Sequence, residues 1–185
     1  VVQIFGGEAA ASSTCQQLPP NFPGYKPYCP YTTDPGPEGA WTGPDMEKAQ
    51  RLVRRSGTRG MRVVFEIAPW FTGIFSKAQQ TLLGDYMIEL LGELGYRGSM
   101  RPPRDFSRRD HEWQMALGAW GQDYPAASNF IKDRFTCDAS LKPSSGFCDP
   151  GIDAMIERAT RMQLDDPAEA GKLWAEIDRE IVDQA

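Results

Sequence analysis

The chain has 185 residues, a net charge of −5 and 41% hydrophobic residues, with a mean hydropathy of −0.48 and a pI near 5.0. Length and composition fit one globular domain with a sizeable core, and the acidic balance argues against a general nucleic-acid binder, which presents a basic face. No stretch approaches the 18 or more apolar residues of a membrane helix, and Val1-Val-Gln-Ile-Phe-Gly-Gly lacks the basic start and apolar run of a signal peptide. The arginines at 51, 54, 55, 59 and 62, and again at 101, 104, 108 and 109, read as solvated faces because no aromatic residues interleave with them.

The first residues read as the inside of an element cut from a longer polypeptide. Residues 8–44 carry many prolines and glycines, as in Leu18-Pro-Pro-Asn-Phe-Pro-Gly-Tyr25 and Pro35-Gly-Pro37, and are expected to wrap over a surface as an extended loop. Cys15 and Cys29 fall within it, and Cys137 and Cys148 form a second local pair. Four cysteines allow three connectivities. Two local bridges are the reading preferred here, since each would tie down backbone with little core of its own. Zinc is the rival, but there is no Cys-x-x-Cys knuckle and His111 is the only histidine. Bridged cysteines place the protein outside the cytoplasm.

Asp45 is placed to cap a helix whose apolar stripe is Met46, Ala49, Leu52 and Val53, with Gly57 ending it. Residues 61–67 alternate and are rich in branched and aromatic side chains, which predicts a strand. Ser76 and Gln79 form a capping box for the longest helix, with Ala78, Leu82, Leu83, Tyr86, Leu90, Leu91 and Leu94 facing inward and Gly95 closing it. Tyr96 to Met100 is the next strand, completing a βαβ unit with parallel pairing. After a polar excursion at 102–112 comes an apolar run from Trp113 to Ala119, fit to be a buried strand. A short helix is expected over 125–135. Two further helices start at Asp149-Pro150 and Asp166-Pro167, with stripes Ile152, Met155, Ile156, Ala159 and Leu173, Trp174, Ile177, Ile181. The fold class is α/β: a small, mostly parallel sheet flanked by helices, as a single lobe over residues 1–185.

The segment Trp120-Gly-Gln-Asp123-Tyr-Pro125 sits where a strand gives way to a loop. Ligands of open α/β sheets bind beyond the carboxyl ends of strands. An aspartate before Tyr-Pro also suits a turn that bonds its own backbone. As a binding group, Asp123 supplies charge for a cationic ligand, and Trp120 a flat apolar and cation–π surface. Trp70, following the strand at 61–67, would emerge at the same edge of the sheet. Catalysis finds no support: His111 lies in the charged run Arg-Arg-Asp-His-Glu, there is no Gly-x-Ser-x-Gly elbow, and Gly57-Thr-Arg-Gly60 lacks the lysine of a phosphate loop. No catalytic residue, cofactor or metal ligand is assigned.

Five segments in order resemble the family 5 solute-binding proteins of ABC importers, the oligopeptide- and dipeptide-binding proteins. They are Val2-Gln-Ile-Phe-Gly-Gly with Leu18–Tyr25, Pro44–Leu52 with Ser56-Gly57, Gln80–Gly95, Gly118-Ala-Trp-Gly-Gln-Asp-Tyr-Pro125, and Ile152–Ala159 with Leu173–Asp183. The resemblance implies most of the second lobe of a two-lobed, type II periplasmic-binding-protein-like fold. It further implies that Asp123 pairs with a ligand's α-amino group and that Trp120 and Gly121 line the same pocket. The implied partners are a small-molecule or oligopeptide solute and ABC permease subunits in the membrane, for a monomer located in the periplasm or anchored, as a lipoprotein, at the cell surface. Where the family has Asp-Tyr-Pro-Asp-Pro, this chain has Asp-Tyr-Pro-Ala126-Ala127, and no basic residue for a ligand carboxylate stands near Leu117. The solute therefore stays open among peptide, nickel chelate, sugar and others. The alternative from a different class is a disulfide-stabilised extracellular protein-interaction module.

Overall fold

A computed structural model describes residues 1–36, 39–67, 73, 75–101, 114–139 and 146–184, which form two compact units. The first comprises Val1–Ser12 and Pro44–Ala119, the second Ser13–Gly43 and Trp120–Ala185. Trp70, His111 and the excursion at 102–112 lie outside the described residues.

In the first unit a 3₁₀ turn, Val2–Phe5, precedes α1 (Met46–Ser56), β1 (Arg62–Ile67), α2 (Lys77–Leu94), β2 (Arg97–Arg101) and β3 (Met115–Leu117). The caps follow the sequence signals. The Asp45 carboxylate accepts the Lys48 N–H at 2.8 Å, and Ser76 and Gln79 complete a reciprocal capping box. Gly57 and Gly95 end α1 and α2 in the left-handed region, with φ of 71° and 96°. The sheet order is β2-β1-β3, and both pairings are parallel. Their registers run from Arg62 opposite Arg97 to Glu66 opposite Arg101, and from Phe65 opposite Met115 to Ile67 opposite Leu117. Helix α2 rides close on β2: a Cβ on Gly98 would meet Leu91 Cδ1 at 3.0 Å.

Three details depart from the apolar patterns. β1 is central, so Val64, Phe65, Glu66 and Ile67 are all buried instead of alternating. α2 presents Leu83, Gly84 and Leu91 inward, while Leu82 and Tyr86 are exposed, as is Leu52 on α1. α2 is apolar over more than the arc that the sheet covers, so periodicity alone left its rotation undetermined, whereas α1 buries Val53 of its expected stripe. The run from 113 to 119, expected as a buried strand, pairs only over Met115–Leu117. There Met115 and Ala116 are exposed, because β3 is paired on one side only among the described residues.

The second unit packs α3 (Ala127–Phe135), α4 (Pro150–Asp165) and α5 (Pro167–Gln184) around Ile131, Ile156, Trp174, Ile177 and Ile181. The α4 and α5 stripes face this core as their spacing predicts, Met155 being partly buried at its edge. Asp149 accepts the Gly151 and Ile152 N–H groups, and Asp166 accepts that of Glu169 at 3.0 Å. The described residues among 13–43 form no helix, and nothing of a strand beyond an isolated bridge at Thr32. They do more than cover a surface: Leu18 is wholly buried in the core and Phe22 meets Phe130 edge-to-face at 4.9 Å. Gly24, with φ of 87°, lets the loop touch α5, since a Cβ there would stand 2.8 Å from Trp174 Cβ. Both disulfides join the local pairs, Cys15–Cys29 and Cys137–Cys148. Among the described residues no helix is long and apolar enough to cross a membrane.

Candidate functional site

The turn from Trp120 to Ala126 leads into α3, whose N-cap residue Ala126 has no side chain able to cap. Asn129, on the first turn of the helix and wholly buried, reaches back to Asp123. Its Oδ1 accepts the Asp123 N–H at 2.9 Å and its Nδ2 donates to Asp123 Oδ2 at 3.3 Å. The Asn129 N–H in turn donates to the Ala126 carbonyl at 3.0 Å. A buried amide costs on the order of 1–3 kcal/mol if unpaired, so these bonds explain how Asn129 is tolerated between Ser128 and Phe130.

The Asp123 side chain is exposed. Asn129 is its only side-chain partner among the described residues, and no cation pairs with it there. An ionised carboxylate accepts through two oxygens and about four lone pairs; a single neutral amide leaves most of that capacity, and the whole charge, unmatched. Tyr124 and Gly121 are also exposed, and the space a Gly121 Cβ would enter is open to 4 Å.

Trp120 is half-buried. Part of its indole packs on the helical core of the second unit, and Nε1–H is buried without a hydrogen-bond partner. The ring is thus held as a fixed wall, with less open face than a fully exposed indole would offer. Trp120, Gly121 and Asp123 share this one turn. Trp70, the fourth residue singled out from sequence, lies outside the described residues. Among the described residues no three His, Cys, Asp or Glu side chains gather as a metal site.

Two polar residues escaped the sequence reading. Asn129 interrupts the apolar side of α3 six positions after Asp123. Asp178 lies in α5 at the spacing of the buried stripe, four residues after Trp174 and three before Ile181, and it is wholly buried. Its Oδ1 accepts the Gln17 N–H at 2.9 Å, while Oδ2 accepts the Leu18 N–H at 3.3 Å and Gln16 Nε2–H at 3.2 Å. Burial pushes its carboxyl up to about 6, against the pull of those three donors toward the ionised form. In both cases the available signal was a polar residue at a position that helical periodicity assigns to the core.

No family model matches the chain, and no curated protein matches it. Solved structures do. A dipeptide-binding protein from Pseudoalteromonas sp. SM9913, in complex with Met-Leu, superposes on 92% of this chain and 32% of its own, with a TM-score of 0.69 and 16% identity. The binding protein MoaA from A. tumefaciens, in complex with mannopinic acid, covers 95% of this chain and 34% of its own, with a TM-score of 0.67 and 18% identity. The ABC transporter-associated periplasmic binding protein DppA from Helicobacter pylori, in complex with the peptide STSA, covers 90% and 30%, with a TM-score of 0.64 and 15% identity. The chain spans about a third of the length of each of these proteins. Residues 1–185 have the fold of part of the periplasmic solute-binding proteins, that of one α/β lobe with a small parallel sheet.

Proposed function

We propose that the full-length protein is an extracytoplasmic solute-binding protein of an ABC importer, and that residues 1–185 form most of its second lobe. It captures a peptide-like or other small solute with a cationic end and delivers it to membrane permease subunits as a monomer, with no chemistry of its own. Asp123 takes the cationic group and Trp120 and Gly121 flank it, with Trp70 a further candidate from the sequence. The observation that carries this reading is the exposed Asp123 carboxylate, anchored by one neutral amide and matched by no cation among the described residues. The two disulfides fit an oxidising compartment outside the cytoplasm. A place in the periplasm or at the cell surface, held there as a lipoprotein, belongs to the same reading.

The test is titration calorimetry on the full-length protein with the dipeptide Met-Leu and its N-acetyl form as probes. Replacing Asp123 by Asn should weaken binding of the free-amine dipeptide by about 2–5 kcal/mol, the loss expected when one member of a desolvated charge pair is removed. Binding of the acetylated form should not change. Equal affinity of wild type and Asp123→Asn for Met-Leu removes Asp123 from the site.

A further inference from the structure

We infer that Asn129 is the positioning residue of this site: it locks the Asp123 carboxylate in one orientation while supplying no charge of its own to compensate it, and so makes the turn selective for a cationic group. The inference rests on the solute-binding reading and adds a residue that acts through Asp123 without touching ligand. The geometry is reciprocal. One buried side chain accepts the Asp123 N–H at 2.9 Å and donates to its Oδ2 at 3.3 Å, so that main chain and carboxylate are fixed together as a closed ring. The clamp is itself immobile, because Asn129 is fully buried between Ser128 and Phe130 on the first turn of α3.

The chemistry of the clamp decides the selectivity. An arginine or lysine in the same place would hold the carboxylate more strongly and would also cancel its charge. An amide supplies a donor and an acceptor but no charge. Oδ2 is then committed to the protein, and Oδ1 has no partner among the described residues and is directed by the ring. Fixing the carboxylate in advance reduces the side-chain ordering that binding would otherwise cost. An ammonium group meets an aimed acceptor instead of a rotating one.

Two replacements in the full-length protein separate positioning from packing. Asn129→Ala removes the clamp and leaves a void, whereas Asn129→Leu removes the clamp and fills the space with an apolar group beside Phe130 and Ile131. Both should weaken Met-Leu binding by about tenfold, within the range of coupling between touching residues, and both should narrow the discrimination against N-acetyl-Met-Leu by the same factor. Neither should change affinity further once Asp123 is Asn. A packing role predicts that Asn129→Leu binds as wild type does, or that its effect persists unchanged in the Asp123→Asn background; either result overturns the inference. Amide exchange at Asp123 gives a readout that needs no ligand. Its N–H should be protected in wild type and exchange at least tenfold faster in Asn129→Leu. Should wild type fail to bind Met-Leu, the peptide-end reading falls, and unchanged exchange at Asp123 would then sink the clamp separately.

Discussion

The buried carboxylate of Asp178 makes a prediction whose sign is opposite to that of most acidic groups. Its carboxyl is pushed from 3.8 to about 6 in the folded protein because burial penalises the charge more than three N–H donors reward it. The folded state therefore holds the proton more tightly than the unfolded chain. This group's contribution to stability is fully present below about 3.8 and is lost as pH rises through about 6. At about 1.4 kcal/mol per pH unit, the whole difference between the limits is about 3 kcal/mol, of which about 1 kcal/mol falls between pH 7 and pH 5. For a protein of this size that is roughly 2–4 °C in melting temperature. The assay is a pair of thermal scans at pH 7 and pH 5 on wild type and Asp178→Asn, in which other titrating groups cancel. Wild type should gain about 2–4 °C on the variant when the pH is lowered. A difference that stays flat, or that moves the other way, refutes the claim that desolvation dominates at this site.

Gly24→Ala should destabilise the protein by about 2–4 kcal/mol, measured by urea denaturation, because it combines left-handed backbone, with φ of 87°, with a Cβ 2.8 Å from that of Trp174; an unchanged midpoint would show that the loop does not press on α5. Replacing Cys15 and Cys29 by Ser should cost about 3 kcal/mol by the same measurement, given a closed loop with a sequence separation of 14. That loss should leave the melting behaviour of residues 62–101 unaffected when followed by amide exchange, since the bridge lies wholly within the second unit.

Local chemistry was legible in the sequence. Asp45, Ser76 with Gln79, Asp149 and Asp166 announced the helix starts, and each makes the bond its position implies. These signals need only neighbours within a turn, so they survive the absence of tertiary information. Which face of a helix is buried is a different matter. α5 carries one narrow stripe and was oriented correctly. α2 is apolar around more of its circumference, with Leu82 and Tyr86 as suitable as Leu83 and Leu91, and only the packing of β2 decides between them, with Met100 against Gly84 and Gly98 against Leu91. β3 was over-read for the same reason: Met115 and Ala116 look like core residues, yet among the described residues the strand is paired on one side only and both are exposed.

The two informative carboxylates show where sequence reasoning reaches its limit and why. Asp123 and Asp178 are the same side chain. Their roles diverge through what donates to them. Asp178 receives two main-chain N–H groups and one side-chain N–H from Gln16–Leu18, 160 to 162 positions away in the chain, and is consumed in fastening the loop to α5. Asp123 receives one amide from six positions away and keeps its charge at the surface. A donor count of three in a dry environment makes a fastener, and a count of one in a wet environment leaves a group with valence to spare. The first depends on a contact that no local pattern encodes. The second could be suspected from the Asp123 to Asn129 spacing, because a helix that starts at Ala127 brings a residue on its first turn back over the preceding loop. On the proposed reading, binding at this site thus rests less on the aspartate itself than on how few of the described groups compete for it.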